Sequence, residues 1–400
     1  MPGRVTLAPE AVLAHRLRAH HLDRRLPAGE VLSAAGACGV QNSPPGAWET
    51  ALWARCADVS REGLRRLLEE ERVLLQAWSI RGVPLVFPAA EAGAFLSALL
   101  PAPGEEPWIY TRGIGLATNC LGMSQEELLP LVLTAAEALR EVTVTGKEEL
   151  DRCLAGRVRQ LLPAGVQERW DAPSMYGRPD RQTVGMAAVS FLLRPCAFAG
   201  RVVFGRREGT SPTFTAPERW LGAPLPTDPD GGRKLVKKFL HCYGPATPAM
   251  FGSWLGCSPS QAKRLWQTAA DELLPAACDG RRGWMLEADR EDYTGEPEPR
   301  ALLLGAHDPY LDLRDRERIL PDTGQQRTVW QTVANPGVLL SGGRVAGIWR
   351  SRTTGRRTAF TFTAFRPLST EERAAFCREA EALAAFRGSE AGTIDWEEGA

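Results

Sequence analysis

Apolar positions recur at helical spacing through most of the first 290 residues and at strand spacing after about residue 300. Residues 9–26 predict a first helix with Val12, His15, Leu17 and Leu22 on its buried side. Residues 31–37 predict a short second helix. A third covers 47–55 and opens just after Pro44-Pro45, with Asn42 or Ser43 placed to cap it. Ser60 starts another helix running to residue 70, and residues 73–87 read as two strands around Arg81-Gly82. Helices followed by a two-stranded hairpin is the order of a winged helix.

The order recurs twice. Ser124-x-x-Glu127 and Thr145-x-x-Glu148 are capping-box patterns that predict helix starts. An apolar run over 184–193 follows, then Arg201-Val202-Val203-Phe204-Gly205 and Thr213-Phe214-Thr215 as arms of a hairpin, with Arg206 and Arg207 at its tip. Further on, residues 234–243 end at Gly244. Thr247-Pro248 and Ser258-Pro259 each start a helix, and Asp279-Gly280 turns a hairpin between 274–277 and 283–286.

Residues 287–299 are acidic and end in Glu-Pro-Glu-Pro, as a linker would. Beyond them 301–304, 338–340, 345–350 and 359–365 predict strands, a capping box at Ser369-x-x-Glu372 starts a last helix to residue 386, and the polar tail after 387 is expected to be loose. The expectation is an α+β chain: three tandem winged-helix domains over 1–100, 101–225 and 226–295, then a small β-rich lobe with a terminal helix over 296–400.

Charge changes this picture locally, not globally. The chain has 48 basic and 48 acidic residues, so its net charge gives no support to polyanion binding. Arg far outnumbers Lys, which suits bidentate phosphate and guanine contacts and equally suits a GC-rich genome. Between Arg344 and Arg366, however, six arginines occur with no acid, interleaved with Trp349, Phe360, Phe362 and Phe365. Strand alternation would segregate aromatics from arginines and put Arg356 and Arg357 on a basic hairpin tip. A solvated face is the plain alternative, and phosphate contact through Arg344, Arg350, Arg352, Arg356 and Arg357 the sharper one. Nine cysteines without a C-x-x-C pair argue against structural zinc or a disulfide frame. His15, His20 and His21 cluster, but the sequence shows no further ligands beside them, so neither metal nor cofactor is expected. No apolar run is long enough to span a bilayer and no secretory signal is evident, which points to the cytoplasm.

Taken in order, the motifs resemble the AlkZ/YcaQ-like winged-helix DNA glycosylases of bacteria. They are Gln41, Leu52-Trp53-Ala54-Arg55, Trp78-Ser79-Ile80-Arg81-Gly82, Gly200-Arg201-Val202-Val203-Phe204-Gly205, Trp220-Leu221 and Tyr243-Gly244-Pro245-Ala246-Thr247. After these come His307-Asp308-Pro309-Tyr310, Arg314-Asp315-Arg316 and Gly343 to Arg350. The resemblance spans nearly the whole chain and implies the three-winged-helix architecture given above.

It also implies a site. The family's catalytic motif is Gln, any residue, then Gln or Asp, two residues ahead of a Pro. Here Gln41, Asn42, Ser43 and Pro45 occupy those positions, so the first Gln is kept and Ser43 replaces the second polar group. The implied activity is monofunctional hydrolysis of the N-glycosidic bond of N7- or N3-alkylated purines or interstrand crosslinks. The substrate would be double-stranded DNA, alkylated or crosslinked, and the enzyme a monomer on the nucleoid. Because Ser43 brings no charge, a non-catalytic DNA-binding regulator or lesion shield stays open. Arg81 either contacts phosphate or makes an interdomain salt bridge. His307 either reaches toward a lesion, or its motif is an Asp-Pro turn that packs Tyr310.

Overall fold

The computed structural model describes residues 4–105, 109–177 and 179–398. Helices and small sheets alternate, and the chain divides into two compact units. The first is built from Met1–Arg66, Val236–Trp254 and Ala269–Ala400, and the second from Leu67–Leu235 and Leu255–Thr268.

The second unit carries the antiparallel hairpin Leu74–Trp78 with Pro84–Pro88, in register Gln76 to Val86. Arg81 sits in the turn between the strands at φ 56°. Helices Gln125–Ala136, Lys147–Leu161 and Val184–Phe198 surround an apolar core that includes Leu128, Val132, Leu154, Val189 and Trp170. Trp170 lies flat against Gly185, where a Cβ would come within 2.1 Å of the indole, so the helix needs glycine at that point. The expected 203–215 hairpin forms between Val203–Phe204 and Thr213–Thr215, with Trp78 stacked on Phe214 at 5.2 Å.

In the first unit a strand at Val5–Leu7 adds in parallel to the antiparallel hairpin Leu273–Cys278 and Arg281–Leu286. A five-stranded sheet follows, running Ala301–Leu304, Gly337–Ser341, Arg344–Thr354, Arg357–Ala364 and Glu390–Glu398 in spatial order. Helix Thr370–Phe386 packs on it, opened by the Ser369–Glu372 capping box as its sequence predicts. Gly355 takes φ +60° in the two-residue turn at the tip of the basic hairpin, a conformation glycine adopts without steric cost.

Buried ion pairs fix distant segments of this unit. Arg16 donates to both oxygens of Asp315 at 2.9 Å, and also to the carbonyls of Tyr243 and Gly244. The motif residue Tyr243 donates its hydroxyl to the Pro309 carbonyl at 2.7 Å. Two stretches distant in sequence, 243–244 and 309–315, are therefore held together at the first helix.

Four expectations need correction. The first helix ends at Ala19, not residue 26, because His21 turns to φ 54°. Thr145-x-x-Glu148 forms no capping box: Thr145 is in a strand and gives its hydroxyl to Glu208, while Gly146 precedes helix Lys147–Leu161. The tail is not loose. Residues 390–398 pair in parallel with Arg357–Ala364, and Trp396 packs edge-on against Phe362 at 4.9 Å. Finally, neither Asn42 nor Ser43 is the N-cap of helix Ala47–Arg55; Gly46 is, at φ 90°, and Asn42 Oδ1 instead accepts the Gly46 N–H at 2.7 Å.

Candidate active site

Gln41 ends the short strand Val40–Gln41 and is 8% exposed. Its Nε2 donates to the Ser43 carbonyl at 2.9 Å, which fixes the amide and leaves Oε1 as its acceptor. Ser43 itself is exposed. Immediately after it, Pro44 to Ala47 form one wall of a cleft of about 750 Å³. Gln41 and Ser43 stand at this wall's chain entry and are not lining residues.

Glu49, Thr50 and Arg61 add to this wall, and the remaining lining comes from far along the chain. Gly305 and Ala306, Asn335 to Gly337, Trp349 to Ser351, and Phe386 with Arg387 all line it. Trp349 is locked in place. Its Nε1 donates to the Leu304 carbonyl at 3.0 Å, and its ring covers Gly337 so closely that a Cβ there would approach within 2.1 Å. The lining contains three arginines, Arg61, Arg350 and Arg387, against one glutamate, Glu49. Glu49 is buried and accepts from Arg61 at 2.6 Å and Arg65 at 2.8 Å, so its charge is already compensated. An overall neutral chain thus concentrates positive charge in this one concavity.

The predicted site residues divide. Arg350 reaches the cleft next to Pro44 and Pro45, while Arg352, Arg356 and Arg357 extend along the exposed outer half of the hairpin. The arginine cluster is not unopposed, because acids arrive from other elements. Glu10 takes Arg344 at 2.6 Å, Glu372 takes Arg366 at 2.6 Å, and Glu390 stands 3.8 Å from Arg357. Arg206 lies 3.5 Å from Glu69, and Arg207 donates to the Thr210 carbonyl. Arg81 and His307 are both half-buried, His307 at φ 60°. Asp308 caps the short helix Pro309–Asp312 through the Tyr310 N–H, and the buried Tyr310 donates to the Gly343 carbonyl at 2.8 Å. That motif therefore does pack Tyr310 through an Asp-Pro turn.

Sequence reading missed Glu49 and Arg387. Glu49 lies on a helix whose residues from 48 to 55 are all buried, where its burial follows only from the tertiary packing. Arg387 follows the last helix and resembles any charged helix-terminal residue.

The histidines do find companions. His20 comes together with Cys38 and Cys242, and His15 with His241 and Asp289, each set with its donor atoms within 4.8 Å. The second set satisfies itself: His241 Nδ1 donates to Asp289 at 3.0 Å and His15 Nε2 to the His241 carbonyl at 2.9 Å. Burial pushes His15 down to about 4, while the hydrogen bond to Asp289 raises His241.

A family model for AlkZ-like DNA glycosylases matches residues 34–386. The chain belongs to the AlkZ-like DNA glycosylase family. It is similar to the interstrand DNA cross-link repair glycosylase of Streptomyces sahachiroi, at 24% identity over 348 residues, covering 84% of this chain and 86% of that protein. The solved structure of the Streptomyces sahachiroi DNA glycosylase AlkZ superimposes with a TM-score of 0.76 at 22% identity, covering 98% of this chain and all of that one. At such identity the match speaks for the fold, and the family assignment rests on the model match. Among the described residues no helix is long and apolar enough to cross a membrane.

Proposed function

We propose that the protein hydrolyses the N-glycosidic bond of N7- or N3-alkylated purines in double-stranded DNA, bulky and crosslinked adducts included, with Gln41 holding the attacking water. The observation that carries this reading is the Gln41 amide, whose nitrogen is tied to the Ser43 carbonyl at 2.9 Å and whose Oε1 remains to accept from water. An alkylated purine is already cationic and leaves without a general acid. The protein then has to place water beside an oxocarbenium-like sugar and offer it compensating polarity. A fixed amide oxygen does the first, and the Ser43 hydroxyl contributes a short, neutral dipole to the second.

The reading extends to architecture and setting: three tandem winged helices followed by the β-rich lobe, acting as a monomer on the nucleoid in the cytoplasm. It is supported by the helix-then-hairpin order and by the positive cleft. Arg350, Arg352, Arg356 and Arg357 on the hairpin then meet the DNA backbone, with Arg81, Arg206, Arg207, His307 and Arg344 as further contacts.

Incubation with duplex DNA carrying N7-alkylguanine tests the activity. Abasic sites above the spontaneous rate are expected, and their absence removes the catalytic claim. One observation favours a second reading, a DNA-binding protein that shields or regulates: the one glutamate among the described lining residues is engaged by arginines at both oxygens, which leaves no carboxylate of that lining to face the sugar. A footprint on undamaged sequence without lesion preference would select it.

A further inference from the structure

Arg387 stands apart from the other arginines of this unit. It lies in the cleft just after helix Thr370–Phe386, with its guanidinium 5.5 Å from the Trp349 ring centroid. Two hydroxyls are its side-chain partners, Thr50 Oγ1 at 3.3 Å and Ser351 Oγ at 3.4 Å. Both contacts are long. Its own carbonyl is held by Arg61 at 3.4 Å, so the backbone beneath it is anchored too. The nearby carboxylate, Glu49, spends both oxygens on Arg61 and Arg65. Burial, and after it the neighbouring Arg61, press the Arg387 pKa downward against a smaller upward pull from Glu49. A half-buried cation whose nearest carboxylate is already shared by two other arginines is stabilised further when a ligand brings an anion to it.

Trp349, fixed as described above, gives the guanidinium a flat face to rest on and holds its fork in one plane. The remaining N–H groups of such a fork match a tetrahedral oxyanion bidentately, as a lysine in the same place would not.

We infer that this cleft contains a phosphodiester subsite, and that Arg387 is the positioning residue that grips one backbone phosphate of the damaged strand. The inference takes its ligand from the glycosylase reading and deepens it. Gripping that phosphate fixes the sugar beside the wall formed by Pro44 to Ala47, which starts three residues after Gln41.

The test is equilibrium binding, by fluorescence anisotropy, of duplexes that carry a tetrahydrofuran abasic analogue, with single methylphosphonates walked along the flanking backbone. Arg387→Ala is expected to weaken binding about tenfold or more. It should also lower the slope of log affinity against log salt by about 0.9, the share of one phosphate. One methylphosphonate position should weaken the wild type and leave Arg387→Ala unaffected. Arg387→Lys keeps the charge and guards against a folding artefact: it should melt like wild type, keep the salt slope and lose only the bidentate part of the affinity. An unchanged slope, or methylphosphonate effects equal in wild type and variant at every position, overturns the subsite. Excision without this coupling leaves the activity standing and removes the subsite. The coupling without excision does the reverse, and failure to bind any duplex removes both.

Discussion

Arg55 donates from its two terminal nitrogens to the two carboxylate oxygens of Asp308, each at 2.8 Å, with both side chains out of contact with solvent. The pair joins the Leu52-Trp53-Ala54-Arg55 motif to His307-Asp308-Pro309-Tyr310 and thereby sets the helix after Gln41 against the strand that leads into the cleft's far wall. Removing one partner leaves a buried charge uncompensated. Asp308→Ala is therefore expected to lose about 3–5 kcal/mol of stability in urea unfolding. The double replacement Arg55→Met with Asp308→Leu should recover much of it, since apolar residues of similar volume carry no desolvation cost. A loss under 1 kcal/mol for the single variant would show that the pair does not hold these segments.

The chemistry predicts opposite outcomes at the two motif positions. Gln41→Ala should lower single-turnover excision by about 100- to 1,000-fold, the usual effect of losing one well-placed polar group in an active site. Ser43→Gln, which restores a longer polar side chain, should be faster than wild type. If both variants match wild type, water is held elsewhere.

Acid stability follows from Glu372. Its hydrogen bond with Arg366 lowers the carboxyl to about 2, assisted by the Ser369 N–H and Ser341 hydroxyl. A carboxyl depressed in the folded state stabilises it above the unfolded value of about 4.3, and that contribution disappears as pH falls through the folded one. The stability gap between wild type and Glu372→Gln should therefore be full at pH 6 and shrink steadily from about pH 4.3 toward pH 2. A gap that does not change with pH would assign the effect to helix capping alone.

The tail is a structural strand. Trp396 meets Phe362 and Phe376 and lies under Arg373, whose guanidinium is 4.7 Å from its ring. Trp396→Ala is expected to cost about 1–3 kcal/mol, below the loss for a fully buried indole. Thermal melts of this variant and of a chain ending at Arg387 check it. No change in either would return the tail to the loose state that its polarity suggests.

Much of the fold is legible because local rules act locally. The capping boxes at Ser124 and Ser369, the Asp279-Gly280 turn and the alternating strands after residue 300 each follow from a few adjacent residues. Where the reading failed, a distant partner decided. Thr145 looked like a cap until its strand paired with Thr213–Thr215 and its hydroxyl reached Glu208. The tail looked loose because only Ile394 and Trp396 carry its apolar face, and they need the neighbouring strand to have something to cover.

The sequence by itself determined the element order, the family resemblance and the placing of Gln41 just ahead of Pro44-Pro45, since these depend on residue types at short spacing. Only the tertiary structure decided how the charges are used. Arginines that look alike along the chain differ once folded: Arg344 and Arg366 find Glu10 and Glu372, Arg55 and Arg16 are consumed by buried aspartates, and Arg387 lies in the cleft hydrogen-bonded to two hydroxyls beside the Trp349 ring. Electrostatic energy depends on distance and on exclusion of water. Both are set by segments up to 354 residues apart, as in the Arg25–Glu379 pair, and no local pattern records them.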